Sequence, residues 1–200
     1  MSAEQTDPTY RLLRHLTLPI AAITTSADGR SNGLIVNSGQ RASLVPALPR
    51  ISLYISKTNF SHDLIYGSGL LGVHLLRSDQ WDVIRALGLQ SGRDVEDKLA
   101  ELATRTGVTG IPMLSDVLGA FECRVINAMD AGASTFFLAD VVDVQTGAPG
   151  EVMTSAHFRS HAPEDLLEEY ESRLQYAQSL LEPLSAVRPA REWDGGTVAP

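Results

Sequence analysis

The chain has 200 residues, 16 of them Lys or Arg and 24 Asp or Glu, for a formal charge of -8. A surface of that sign repels phosphate backbones and sets nucleic acid aside as a partner, and the apolar share of 44% belongs to a chain that folds. The single cysteine, Cys123, excludes an internal disulfide and fits a reducing, cytoplasmic setting; MSAEQTDPTY has no signal-peptide profile, and no apolar run approaches the roughly 20 residues of a membrane span.

From Leu16 to Thr25 apolar and β-branched residues dominate, Asp28-Gly29 follows as a hairpin turn, and Gly33 to Ser38 reads as the returning strand. Arg50 to Ser56 (RISLYIS) alternates as a strand does, and Asn59 to Gly67 offers a polar cap, an apolar-periodic turn and a terminating glycine. Leu70 to Leu76 reads as a buried strand. Helical signals run from Ser78, a candidate cap, to Leu87 with Gly88 as stop, and Asp94 to Thr104 reads as a further helix. Two long strand-like runs, Leu118 to Ala128 and Thr135 to Val144, flank the turn-rich stretch Met129 to Ser134. After Pro163 the residues Leu166, Leu167, Tyr170, Leu174, Ala177 and Leu181 share one face of a long amphipathic helix. Beyond Pro183 the Pro/Gly-rich tail, which carries Trp193, has too little apolar content to form a core element. Strands mixed with short helices, without regular βαβ alternation, predict a mostly β fold, a barrel with peripheral helices. No phosphate-loop or Rossmann glycine fingerprint occurs, which argues against a self-standing α/β nucleotide domain.

The most informative stretch is GLIVNSGQRASLVPALPRISLYISKTNFSHDLIYGSGLLGVHLL. It presents Asn37-Ser38-Gly39, then Ser43-Leu44 with Pro46 and Pro49, then the strand ending at Ser56, then Lys57-Thr58-Asn59. With the later IPMLSDVLGAFECRV, containing Glu122-Cys123, and the strand FFLADVVDV, this order of pieces resembles the flavin reductase-like family. The resemblance implies an FMN-binding split β-barrel over residues 16–155, preceded by a segment 1–15; periodicity and composition add a C-terminal helix 156–184 and a flexible tail 185–200. It also implies a homodimer with the flavin near the subunit interface, and a monooxygenase component as possible recipient of reduced flavin.

Elementary chemistry gives the matching residues their roles. Lys57, Thr58 and Asn59 lie where a strand gives way to a helix, and helix-start N–H groups with an ammonium make an anion site for the flavin phosphate. Asn37, Ser38, Gly39, Ser43 and Leu44 follow a strand end, where small and polar residues suit the ring and ribityl chain. Many family members carry a histidine just before the strand that starts here at Thr135; this chain has Ser134, which is kept as a cofactor contact. Lys57 as a solvated charge, Asn59 as a helix cap and Ser43 as a turn residue are the plainer alternatives.

The reaction implied is transfer of a hydride from NADH or NADPH to bound FMN, with FAD possible, and no catalytic acid or base of the chain is required. An FMN-binding electron-transfer protein without nicotinamide activity is the first alternative, suggested by Ser134; an interaction module that has lost its flavin is the second. His62, near the phosphate segment, reads equally as a cofactor contact or a surface histidine. His157 and His161 have helical ligand spacing, but Pro163 is expected to keep them outside a helix, so no metal is assigned. Cys123 is expected to pack as a small hydrophobe and Trp81 to pack a helix on the core.

Overall fold

A computed structural model describes residue 16 and residues 19–187, with side chains to residue 183. The segment 1–15 and the tail from 188, with Trp193, lie outside the described residues.

The first two strands, β1 (Ala21–Ala27) and β2 (Arg30–Val36), pair antiparallel through Asp28 and Gly29, whose φ of 51° and 76° make the left-handed two-residue turn that matches strand twist. Then come β3 (Gln40–Arg41), β4 (Arg50–Ser56), α1 (Phe60–Ser68), β5 (Leu70–Leu75) and α2 (Trp81–Gly88). A small hairpin, β6 (Thr104–Thr106) and β7 (Pro112–Leu114), precedes the long pair β8 (Gly119–Asp130) and β9 (Ser134–Thr146). Helices α3 (Ser155–His161) and α4 (Glu164–Val187) end the described chain.

Seven strands form one sheet in the order β2-β1-β5-β8-β9-β4-β3, and every neighbouring pair is antiparallel. The two edge strands, β2 and β3, are consecutive in the chain. Four residue steps from Val36 to Gln40 span at most about 14 Å, so the sheet must curl until its edges approach without pairing. The result is a split barrel.

Alternation along the strands serves two cores. Ile23, Leu34, Leu53, Ile55, Leu71, Val73, Cys123 and Phe137 meet inside the curl with Ile65 of α1. On the opposite face, Ala22 and Ala120 pack with Leu87 of α2, Met113 and Leu114 of β7, Met153, Phe158 of α3 and Leu166 of α4. The segment before α3 is laced in by Ile20 N–H to Met153 O and Met153 N–H to Leu76 O, at 2.9 and 2.8 Å.

Three sequence expectations are corrected. Residues 94–103 form turns and loop and no helix, and Thr104 already opens β6, because their polar groups bond elsewhere: the Lys98 ammonium reaches Gly33 O and Leu87 O at 2.8 and 2.7 Å, and Asp97 Oδ1 accepts from Leu99 N–H. The second helix starts at Trp81 after Gln80, since the Arg77–Val152 bridge and the Ser78 N–H bond to Glu151 O tie the preceding residues to the segment before α3. His157 and His161 do lie on a helix; Pro163 ends it at Ala162, whose backbone is extended, and does not prevent it. Their rings stack at 4.3 Å and 9°, so the ring-plane lone pairs run parallel and do not converge on one ion. Among the described residues no group of three or more His, Cys, Asp or Glu gathers as a metal site.

Trp81 is half-buried and stacks on His157 at 5.7 Å, beside Phe158. Helix α4 runs past Pro183 to Val187, and no described helix is long and apolar enough to cross a membrane.

Candidate functional site

Strand β4 ends where β9 begins: Ser56 faces Ser134 across the ladder, and Lys57 N–H donates to Ala133 O at 3.0 Å. The chain then turns. Ser56 Oγ and Thr58 Oγ1 are 2.8 Å apart, Thr58 N–H reaches Ser56 Oγ at 3.3 Å, and Asn59 N–H donates to Ser56 O at 3.1 Å. Asn59 is the N-cap residue of α1 with an extended backbone, yet its side chain makes no cap hydrogen bond, leaving the helix-start N–H groups unserved by it. Gly69 closes the helix in the left-handed conformation, φ 67°, donating to Ile65 O.

The cation at this corner is already engaged. Lys57 Nζ lies 2.6 Å from Asp130 Oδ1, where β8 turns into β9. The pair is partly exposed, so its own contribution to stability is small and an arriving anion can compete with the carboxylate for the ammonium. Lys57, Thr58, Asn59 and Ser134 thus meet at one corner, joining the end of β4, the start of α1 and the β8–β9 turn.

The other predicted residues follow the chain away from that corner. Ser38 Oγ donates to Tyr54 O at 2.8 Å, two residues before Ser56, so the link Asn37–Gly39 passes alongside β4. At Gly39 a Cβ would meet nothing within 4 Å, which leaves open space on this side of the link. Ser43 and Leu44 lie beyond β3, past the pair Ala42 N–H to Arg50 O, at the opposite end of β4. Six strand steps separate the two ends by about 20 Å. Ser43 Oγ accepts from Val45 N–H at 3.1 Å in a local turn, and Leu44 is 82% exposed. Within one chain, then, Ser43 and Leu44 are not brought to the corner formed by Lys57 and Ser134.

His62 is buried, contrary to the surface alternative: Nε2 lies 2.8 Å from Thr135 Oγ1 and Nδ1 3.1 Å from Asp63. Thr135 faces the inner core with Phe137 and Ala139, whereas Ser134, Phe136 and Leu138 alternate to the other face. His62 therefore cannot stand in for a histidine at position 134, because strand alternation puts them on opposite sides. Cys123 is fully buried and its thiol is pushed up to about 12, by burial and then by the Glu122 charge, which leaves it inert.

Sequence reasoning missed a group beside α1. Arg30 at the head of β2 and Arg93 in the loop after α2 both lie over the Phe60 ring, with Cζ 4.4 and 5.4 Å from its centroid. Arg93 also pairs with Asp63 at 3.2 Å, and Asn32 Nδ2 donates to buried Ser61 Oγ at 2.8 Å. Their separation of dozens of positions along the chain gives no local signal.

The donor set is of the kind a flavin mononucleotide needs: an ammonium, hydroxyls and helix-start N–H groups at one corner, and an open glycine-bearing link beside β4.

A family model described as flavin reductase like domain matches residues 13–164. The high molecular weight rubredoxin of Moorella thermoacetica is 31% identical over 150 residues, covering 74% of this chain and 64% of that protein, so the chain spans less than two thirds of its length. FMN reductase (NADH) SmoA of Agrobacterium fabrum is 29% identical over 126 residues, covering 63% of this chain and 68% of that one. Among solved structures, nitrilotriacetate monooxygenase component B from Mycobacterium thermoresistibile aligns with a TM-score of 0.59 at 25% identity, covering 68% of this chain and 73% of that chain.

Proposed function

Since the chain belongs to the flavin reductase like domain family, we propose that it is an NAD(P)H-dependent flavin reductase that binds FMN at the corner of β4, α1 and β9. The observation that carries the reading is the meeting of Lys57, Thr58, Asn59 and Ser134 at that corner within a split barrel. A bound flavin supplies the redox chemistry, accepting a hydride from a reduced nicotinamide. The protein's part is positional. Lys57, Thr58 and the first N–H groups of α1 hold the phosphate, and the link Asn37–Gly39 lies along the rest of the cofactor. Ser134 offers a hydroxyl where the ring and nicotinamide would meet. Ser43 and Leu44 serve the site from the second subunit of a homodimer.

Exposed apolar residues support that dimer. Tyr54, Phe136 and Met129 stand opposite one another across β4, β9 and β8, with Tyr54 and Met129 more than half exposed, and Leu44, Val45 and Leu48 are also exposed in the loop before β4. A second copy covering this face would enclose the flavin. A monooxygenase component is the recipient we assign to the reduced flavin, in a cytoplasmic setting. The resemblance to a monooxygenase component B supports this.

The alternative with a specific observation behind it is an electron-transfer flavoprotein, favoured by a serine in place of the frequent histidine at position 134. Equilibrium titration with FMN, followed by quenching of flavin fluorescence, tests the shared first step. Lys57→Gln is expected to weaken FMN binding about ten-fold, the value of a charge-assisted phosphate contact. Unchanged affinity would remove the phosphate from this corner.

A further inference from the structure

Helix α1 joins strands that are far apart in the sheet, and two adjacent side chains of its first turn make the connections. Buried Ser61 accepts from Asn32 Nδ2 on the edge strand β2 at 2.8 Å. Buried His62 reaches Thr135 Oγ1 on β9 at 2.8 Å, with β1, β5 and β8 lying between those two strands. The body of the helix packs on β1 and β2, so it is His62 that carries it across to β9.

The ring is held in one orientation. The Asp63 carboxylate can only accept, so its contact with Nδ1 at 3.1 Å places a proton there, and in the neutral ring Nε2 accepts from the Thr135 hydroxyl. Tyr66 stacks on the imidazole and Phe137 tilts against it, each with its centroid 5.9 Å away. A contact that needed only volume would be served by an apolar side chain. A bonded imidazole–hydroxyl pair adds direction, which a site assembled from two elements requires.

Both ends of this bond adjoin the corner. His62 N–H donates to Asn59 O at 3.0 Å, within the turn that presents the N–H groups assigned to the phosphate. Thr135 directly follows Ser134, which faces Ser56 across the ladder and is assigned to the end where ring and nicotinamide meet. Thr135 itself points into the core, so neither partner of the bond lines the site.

We propose that His62 is a positioning residue for hydride transfer: through Thr135 it sets where Ser134 stands relative to the phosphate anchor at the start of α1. The inference rests on the reading of this corner as the flavin site. Losing the bond leaves the phosphate contacts in place and misplaces the reacting end, so the hydride step slows more than flavin binding weakens.

The test compares wild type with His62→Phe, which keeps aromatic volume, Thr135→Val, which keeps shape, their double variant, His62→Gln and Lys57→Gln. FMN affinity by fluorescence titration, visible circular dichroism of bound FMN, and kcat and KM for the nicotinamide are measured on each, with far-ultraviolet circular dichroism to establish folding. His62→Phe and Thr135→Val should each hold FMN affinity within about three-fold, alter the visible bands of bound FMN, and lower kcat about ten-fold with little change in KM. The double variant should be no slower than the slower single one, and His62→Gln, which keeps an acceptor for Thr135, should recover most of the rate. If His62→Phe does not fold, Thr135→Val and His62→Gln carry the same comparison. Bands and kcat at wild-type values in the single variants overturn the proposal. So do losses that multiply in the double variant, or a rate loss wholly accounted for by weaker FMN binding. If Lys57→Gln leaves FMN affinity unchanged, or neither nucleotide reduces the wild-type flavin, the underlying site reading fails and the proposal with it.

Discussion

Glu122→Leu is expected to destabilise the fold by about 3 kcal/mol while leaving flavin affinity of the folded protein unchanged. The Glu122 carboxylate is buried on β8 and accepts from Val108 N–H at 2.8 Å, from Thr109 N–H at 2.6 Å and from the Thr109 hydroxyl. It thereby pins the loop between β6 and β7, and any side chain at Gly107 would run into it. Removing the carboxylate leaves three donors without the acceptor that holds them. Glu122→Gln keeps one acceptor oxygen but turns an NH2 group toward N–H donors, so it should fall between leucine and wild type. Urea unfolding measures the series, and a loss under about 1 kcal/mol for the leucine variant would contradict this account. The resemblance drew attention to Glu122-Cys123 as a family pattern, and the structure gives it an architectural reason.

Acid is the second strong lever. Leu114 N–H must donate to His74 Nε2 at 3.0 Å, which puts the ring proton on Nδ1, facing Ala22 O at 3.1 Å. A second proton would set N–H against N–H between β5 and β7. Burial, with a smaller contribution from the Arg105 charge, lowers the His74 pKa to about 4 from 6.5, although the bond to Ala22 opposes the shift. Between these values the unfolded chain takes up a proton that the folded chain refuses, so stability is complete above 6.5 and falls as pH drops toward 4. The loss by the bottom of that window is about 3 kcal/mol. His74→Gln, which can donate and accept without titrating, should lose less stability over the same interval. Identical pH profiles for wild type and variant, measured as urea midpoints at about pH 7.5 and about pH 4.5, would assign the acid sensitivity elsewhere.

Much of the barrel was legible because its signals are local. Arg50 to Ser56 is bounded by Pro49 and Lys57-Thr58 and forms a strand over those same residues. Asp28-Gly29 is a turn whose chemistry admits few alternatives. Residues 94–103 went astray because a buried lysine, bonded to Gly33 O far along the chain and to Leu87 O, and the local Asp97 cap on Leu99 N–H drew the backbone into turns. His62 was ambiguous for the same reason: Thr135, which buries it, is distant in sequence. The corner itself was half readable. Lys57-Thr58-Asn59 announces a strand-to-helix junction, but the Asp130 partner and the paired arginines over Phe60 arise only when the sheet curls.

The most direct test of the reductase reading is an anaerobic titration of the FMN-loaded protein with NADH and then NADPH, following loss of the oxidised flavin absorption band beside free FMN. Bleaching by at least one nucleotide is expected, at a rate well above that of free FMN. Flavin that stays bound and is bleached by neither would contradict that reading and make the protein an electron carrier.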